Sequence, residues 1–191
     1  FNLAMLLAPQ VVQQIDLTKC KHLLDLGGGP GTYAIHFCQH NPGLQATIFD
    51  LPTTRPVAEK TIRQFGLQER IHFAAGDFQD DPLPGLYDVA WLSHVLHGEG
   101  EAGCAHLLKK AADVLNPGGL LLVQEFILDD SRDRPLFPAL FSLNMLLGTP
   151  QGKAYSEGEI KALLEAAGLV DIERLSLELP NGAGVVRGRK V

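Results

Sequence analysis

The chain has 191 residues, enough for one α/β domain with a substantial buried core. Its formal net charge of −6 argues against a nucleic-acid partner, and its one basic cluster, Arg187-Gly188-Arg189-Lys190, reads as a solvated strand end. No apolar run suggests a membrane span and no segment reads as a signal peptide; Cys20, Cys38 and Cys104, without a C-x-x-C pair, fit free thiols in a cytoplasmic protein.

Apolar runs of buried-strand character alternate with helical patterns along the chain. Residues 1–15 read as an apolar helix leading into a first strand, His22–Leu26. A glycine loop follows, then the helix-like Thr32-Tyr33-Ala34-Ile35-His36-Phe37. The second strand is Gln45–Asp50. Val57, Ala58, Thr61, Ile62 and Phe65 then recur at helical spacing, with Gly66 as the stop. The third and fourth strands are Ile71–Ala75 and Asp88–Leu92. Ala105, Leu108, Ala112 and Leu115 form a helical stripe, stopped by Asn116-Pro117-Gly118-Gly119, and Leu120–Ile127 is the fifth strand. Asp129–Pro150 reads as a loop, a helix over Pro138–Leu147 and a second loop. A last helix, Ser156–Ala167, opens on a capping box of Ser156 and Glu159 and ends at Gly168. This alternation predicts a doubly wound, mostly parallel, Rossmann-like sheet with helices on both faces. Ligands of such sheets lie at the carboxyl ends of the strands.

The most informative stretch is Asp25-Leu26-Gly27-Gly28-Gly29-Pro30-Gly31, between the first strand and a helix. A nucleotide-like ligand lies over a helix N-terminus in that context. A dinucleotide fingerprint needs a third glycine at position 32, which is Thr32. Asp50 ends the second strand, where a carboxylate can accept from both hydroxyls of a ribose, and Gly76-Asp77-Phe78 follows the third. Asp77 could accept from an adenine amino group and Phe78 could lie on the ring face.

The acid followed by alternate glycines, Asp25, Gly27, Gly29 and Gly31, resembles motif I of the S-adenosylmethionine (AdoMet)-dependent methyltransferases. That resemblance implies the class I fold with seven strands, and AdoMet as methyl donor with S-adenosylhomocysteine as product. It also implies Asp25, Gly27, Gly29, Asp50, Leu51, Asp77, Phe78 and Ser93 as cofactor-binding positions, Gly29 as the glycine of close approach and Asp50 as the ribose acid.

Ser93-His94-Val95-Leu96-His97-Gly98-Glu99-Gly100-Glu101-Ala102-Gly103-Cys104 follows the fourth strand. It resembles a stretch of the caffeate- and hydroxyindole-type O-methyltransferases, in which a histidine precedes Asp-Trp, an acid and a cysteine. On that pattern His97 is the general base, Glu101 the acid and Cys104 the cysteine. Glu125, 28 residues after His97, is the carboxylate that holds it. The chemistry calls for such a pair, because a phenol is mostly neutral at pH 7 and needs a base to become a nucleophile. Asn144 and Met145 fall where such enzymes place substrate contacts. Four positions depart from the pattern: Gly98-Glu99 replaces Asp-Trp, Ser93 stands at a common lysine, and Ala154 stands where plant members carry a second histidine-orienting glutamate.

The resemblance implies a small, aromatic hydroxyl acceptor, no nucleic-acid or membrane partner, and a full-length homodimer formed through an N-terminal helical domain. Residues 1–18 would be the helix linking to that domain and 19–191 the AdoMet-binding catalytic domain; Phe1, not Met, opens the sequence. Alternatives are a family member that binds AdoMet without transferring its methyl, a nicotinamide oxidoreductase, which Thr32 and Asp25 disfavour, and a non-catalytic interaction domain. The histidines and cysteines show no close-spaced ligand pattern, so no metal site is expected. His94 reads as lying on a different face from His97.

Overall fold

The computed structural model describes residues 2–191, with side chains from Ala4 onward, so Phe1 of the expected first helix lies outside the described residues. Helices α1 (Asn2–Val12), α2 (Thr32–His40), α3 (Arg55–Gln64), α4 (Glu101–Asp113), α5 (Leu136–Gly148) and α6 (Glu157–Ala166) alternate with seven strands. These are β1 (His22–Leu26), β2 (Gln45–Asp50), β3 (Ile71–Ala75), β4 (Tyr87–Ser93), β5 (Leu115–Phe126), β6 (Leu169–Arg174) and β7 (Ala183–Lys190). They form one mixed sheet in the order β3-β2-β1-β4-β5-β7-β6. The chain divides into two compact units, residues 1–91 and 92–191.

In the first unit β1, β2 and β3 pair in parallel, from His22 opposite Gln45 to Asp50 opposite Ala75. Leu23, Leu24 and Leu26 are fully buried in β1, as expected of a strand covered on both faces. Helix α2 turns Tyr33 and Phe37 onto Trp91, with ring centroids 4.9 and 5.2 Å apart, and this aromatic group anchors the core. Helix α1 packs on α2, and its Ala8, Val11 and Val12 are buried. It ends at Val12, short of the expected residue 15, and runs through Pro9.

In the second unit β7 lies antiparallel to both β5 and β6, Val123 facing Val186 and Leu169 facing Lys190. A register shift between Val170 and Glu173 bends β6. Helix α6 opens on the expected capping box: Ser156 Oγ accepts from the Glu159 N–H, and Glu159 accepts from the Ser156 N–H. Two expectations change here. Strand β5 starts at Leu115, so Asn116-Pro117-Gly118-Gly119 lies within it instead of breaking before it. Helix α5 begins two residues earlier, at Leu136, behind Pro135, whose fixed φ suits a helix N-cap.

Candidate active site

The first unit presents a loop whose shape is set from beneath. Gly27 N–H donates to the Phe49 carbonyl (2.9 Å), closing the chain over the end of β2. Asp25 is 1% exposed, and its Oδ2 accepts from the Ala34 N–H at 3.1 Å, in the first turn of α2. Helix α2 has no side-chain cap of its own, so Asp25 serves that purpose from β1. Burial pushes its carboxyl up to about 7, against the pull of the Ala34 N–H, and the nearby Asp50 adds to the rise. A Cβ at Gly28 would stand 2.5 Å from the Asp25 carboxyl carbon, so the loop can close over this group only as glycine. Gly29 has φ +54 and nothing within 4 Å of where its Cβ would be, which leaves open space above it.

Asp50 stands at the end of β2, half-buried, and engages this loop directly. Its Oδ2 accepts from Gly29 N–H at 2.8 Å, and its Oδ1 accepts from Leu51 N–H (2.7 Å) and Thr54 Oγ1 (3.0 Å). Leu51 is exposed beside it. Beyond β3, Asp77 Oδ1 accepts from Gln79 N–H at 2.9 Å, an Asx turn that shapes the segment carrying the half-buried Phe78.

The second unit holds the histidine and carboxylate that the sequence pairs. His97 lies in a short 3-10 turn, Leu96–Gly98, after β4, and Glu125 lies near the end of β5. His97 Nδ1 is 2.9 Å from Glu125 Oε2, and the carboxylate side chain is 2% exposed against 20% for the imidazole. Glu125 Oε1 accepts from the Leu96 N–H at 2.8 Å, so both oxygens are held. Burial would raise this carboxyl, but the imidazoles of His94 and His97 outweigh it and hold it at about 2. A permanently charged carboxylate orients the ring through Nδ1–H and leaves Nε2 as the proton acceptor.

A second set of contacts clamps the turn. Cys104 Sγ sits 3.3 Å from the Leu96 carbonyl and 3.3 Å from the Tyr155 hydroxyl, which donates to the Glu99 carbonyl at 2.8 Å. The cysteine seven residues after His97 therefore ties α4 to the histidine turn.

One expectation is corrected. His94 faces the same carboxylate as His97: its Nδ1 is 3.6 Å from Glu125 Oε2, and the two imidazole centroids are 6.0 Å apart. Its backbone is left-handed, with φ 57, which swings the ring round from the face that sequence spacing predicts. Folding thus gathers His94, His97 and Glu125 into one group of ligand-type atoms that the linear spacing hides.

The remaining expected residues are placed as follows. Ser93 Oγ donates to Gln124 Oε1 at 3.1 Å. Asn144 is exposed and Met145 half-buried on α5. Glu101 is exposed at the start of α4. Ala154 is buried, and Glu157, the nearest acid after it, pairs with Lys161 and Arg174 instead of a histidine.

The model of the O-methyltransferase domain family matches residues 2–170. The chain belongs to this family. Among its relatives, 3-hydroxy-5-methyl-1-naphthoate 3-O-methyltransferase of Streptomyces sahachiroi is 36% identical over 190 residues, covering 100% of this chain and 55% of that protein. The tetracenomycin polyketide synthesis 8-O-methyl transferase of Streptomyces glaucescens is 35% identical over 92% of this chain and 51% of its own. Human N-acetylserotonin methyltransferase, solved in complex with SAM, superposes with a TM-score of 0.84 at 34% identity, over 96% of this chain and 51% of that one. The chain therefore spans about half the length of the relatives it matches.

Within this O-methyltransferase domain three features escape a reading of motifs. Gly28 is pinned by Asp25, and the bare run of three glycines was its signal. Tyr155 braces the histidine turn from 58 residues away in sequence, and no motif marks it. Phe141 meets His97 edge-on at 4.9 Å, and Phe126 touches both Phe141 (4.9 Å) and Phe137 (4.8 Å), an aromatic wall beside the histidines.

Proposed function

We propose that this chain transfers the methyl group of AdoMet to a hydroxyl of a small aromatic molecule, with His97 as general base and Glu125 as its orienting carboxylate. The observation that carries this reading is the 2.9 Å contact between His97 Nδ1 and the buried Glu125 carboxylate. AdoMet supplies a sulfonium-bound methyl that is open to attack from the side opposite sulfur. His97 Nε2 takes the acceptor's proton, and Glu125 stabilises the imidazolium that results. Most of the rate then comes from holding the two reactants in line.

The cofactor positions fit a ribose-bearing ligand. The open space over Gly29 admits a close approach, and the half-buried Asp50 carboxylate beside it has lone pairs to spare for ribose hydroxyls. Gly27 shapes the loop, Asp25 holds it from below, and Leu51, Asp77 and Phe78 would contact the nucleoside. Ser93, bonded to Gln124, would act on the cofactor through its backbone or by exchanging that bond. For the acceptor, the Phe126, Phe137 and Phe141 wall favours a flat aromatic ring, with Asn144 and Met145 further along α5.

In the full-length protein we propose a further N-terminal helical domain that closes the acceptor pocket and forms a homodimer, residues 1–18 acting as the link and 19–191 as the catalytic domain. The relatives' greater length supports this, as do Leu136, Leu140, Leu143, Leu146 and Leu147, exposed on α5. Among the described residues no helix is long and apolar enough to cross a membrane, and we propose a cytoplasmic location. Calorimetry with AdoMet and turnover with hydroxylated aromatics, compared between the natural chain and His97→Ala, test the reading. Full turnover without the imidazole would overturn it.

A further inference from the structure

We propose that His94, His97 and Glu125 together form a reversible site for a zinc-class divalent cation, and that filling it takes the proton acceptor out of use. The second half of this rests on the proposed role of His97; the site itself does not.

Three observations converge. First, two imidazoles and one carboxylate form a donor set that zinc accepts, and one ligand-type atom from each lies within 4.8 Å of the others. Tetrahedral zinc with bonds of about 2.0–2.1 Å holds its ligand atoms about 3.3 Å apart. Glu125 Oε2 is 2.9 Å from His97 Nδ1 and 3.6 Å from His94 Nδ1, which bracket that spacing. Second, His94 Nδ1 is buried and has no hydrogen-bond partner, although it faces the carboxylate. A buried polar atom without a partner is costly, and here it is aimed at the point where a cation would sit. Third, the carboxylate is already oriented for ligation. Its Oε1 is held by the Leu96 N–H, which leaves Oε2 to the imidazoles. The imidazoles are 31% and 20% exposed, which gives an ion a way in past an otherwise buried group.

The consequence for proton transfer follows from the tautomers. A metal on His97 Nδ1 takes that nitrogen's lone pair. The single proton of the neutral imidazole then moves through solvent to Nε2. No lone pair remains there to accept a proton from a hydroxyl, and the Glu125 carboxylate is occupied by the metal. Removing the metal restores both, so the loss of turnover should reverse with a chelator.

The test uses Co2+ as a spectroscopic stand-in, with Zn2+ as competitor. The variant is His94→Asn, because asparagine tolerates the left-handed backbone at this position and is a poor zinc ligand. Glu125→Gln is the second variant. The natural chain is expected to bind one equivalent of Co2+, with visible bands of a four- or five-coordinate ion and no thiolate charge-transfer band, and to release it to Zn2+. Affinity should fall at least about tenfold in each variant. No such spectrum, a thiolate band, or unchanged affinity in both variants would overturn the site. A site that binds Zn2+ while turnover stays constant would overturn the inhibition, and with it the assignment of His97 as base.

Discussion

Cys104 Sγ lies 3.3 Å from the Leu96 carbonyl oxygen, so the first turn of α4 holds the residue immediately before His97. Tyr155 completes the bracket through the Glu99 carbonyl. Tyr155→Phe removes that donor and leaves the Glu99 carbonyl only the weak 3.9 Å contact of the Cys104 thiol. We expect a stability loss of about 1–3 kcal/mol, read as a lower urea midpoint with unchanged slope. Turnover should fall further at temperatures where the protein is still folded, because the imidazole is then less well aimed. Unchanged stability and unchanged turnover would mean the bracket is redundant.

The proposed role of His97 as base is tested by His97→Ala. In the full-length enzyme turnover should drop by about 10²–10⁴-fold while AdoMet affinity stays nearly constant. Glu125→Gln should give a smaller loss, since a neutral amide still orients the ring but stabilises the imidazolium poorly. Steady-state kinetics at saturating AdoMet, paired with calorimetry, separate the two effects.

Asp50→Ala should weaken AdoMet by roughly 1–3 kcal/mol, the cost of a lost hydrogen-bonded carboxylate. Asp50 Oδ1 also accepts from Thr54 Oγ1, so Thr54→Val is the control for that contact. A calorimetric titration in which Asp50→Ala binds like the natural chain would remove the ribose assignment.

Asp25 predicts a pH dependence of stability. Its pKa in the folded chain is raised to about 7 from 3.8, chiefly by burial, so the folded state holds this proton more tightly than the unfolded one. Its stabilising effect is complete below the unfolded value and is lost as pH rises through about 7. At about 1.4 kcal/mol per pH unit, the loss amounts to a few kcal/mol. Asp25→Asn keeps an oxygen for the Ala34 N–H but does not titrate. Between pH 5 and pH 8 the melting temperature of the natural chain should therefore fall more than that of the variant. His36, held below its usual value by burial, works in the opposite sense in both proteins and cancels from the comparison. Parallel melting curves across this range would show that Asp25 ionises freely.

The length difference from the relatives gives one more expectation. The glycine loop, Asp50 and Asp77 all lie within this chain, so it should bind AdoMet unaided. If the proposed N-terminal helices cover the acceptor, this chain should methylate slowly, because the acceptor would be neither oriented nor shielded from water. Turnover is to be compared with that of a longer chain carrying the upstream residues, at matched AdoMet saturation. Equal rates would mean these 191 residues suffice.

Although only β1 is buried along nearly its whole length and the edge strand β3 is half-exposed, the first three strands are legible in the sequence to the residue, because they are short apolar runs cut off by glycines and acids. The start of β5 is not. Asn116-Pro117-Gly118-Gly119 has turn chemistry, and Gly118 does take a left-handed φ of 79, yet the strand continues through the run, with Pro117 and Gly118 exposed. The antiparallel pair β6 and β7 gives little periodic signal, since one member is bent by a register shift and the other is interrupted by Gly184 and Gly188. At the site, His97 and Glu125 are marked by the family resemblance, and the fold brings the two side chains together. His94 is not legible in this way, because its position depends on a single left-handed residue. Tyr155 and the phenylalanine wall are tertiary facts, brought in by α5 and by the segment before α6.

The Gly29 N–H donates to Asp50 Oδ2, so the protein's own groups fix the shape of this loop. A nucleoside reaching this loop would meet a finished surface and would not need to organise one. Little backbone entropy should then be spent on recognition, so affinity can be drawn from a few polar contacts and need not rely on a large buried area. Association should be fast and single-phased, without the slow isomerisation that follows when a binding loop must first be ordered. A loop ordered in this way would need little conformational adjustment of its own on binding.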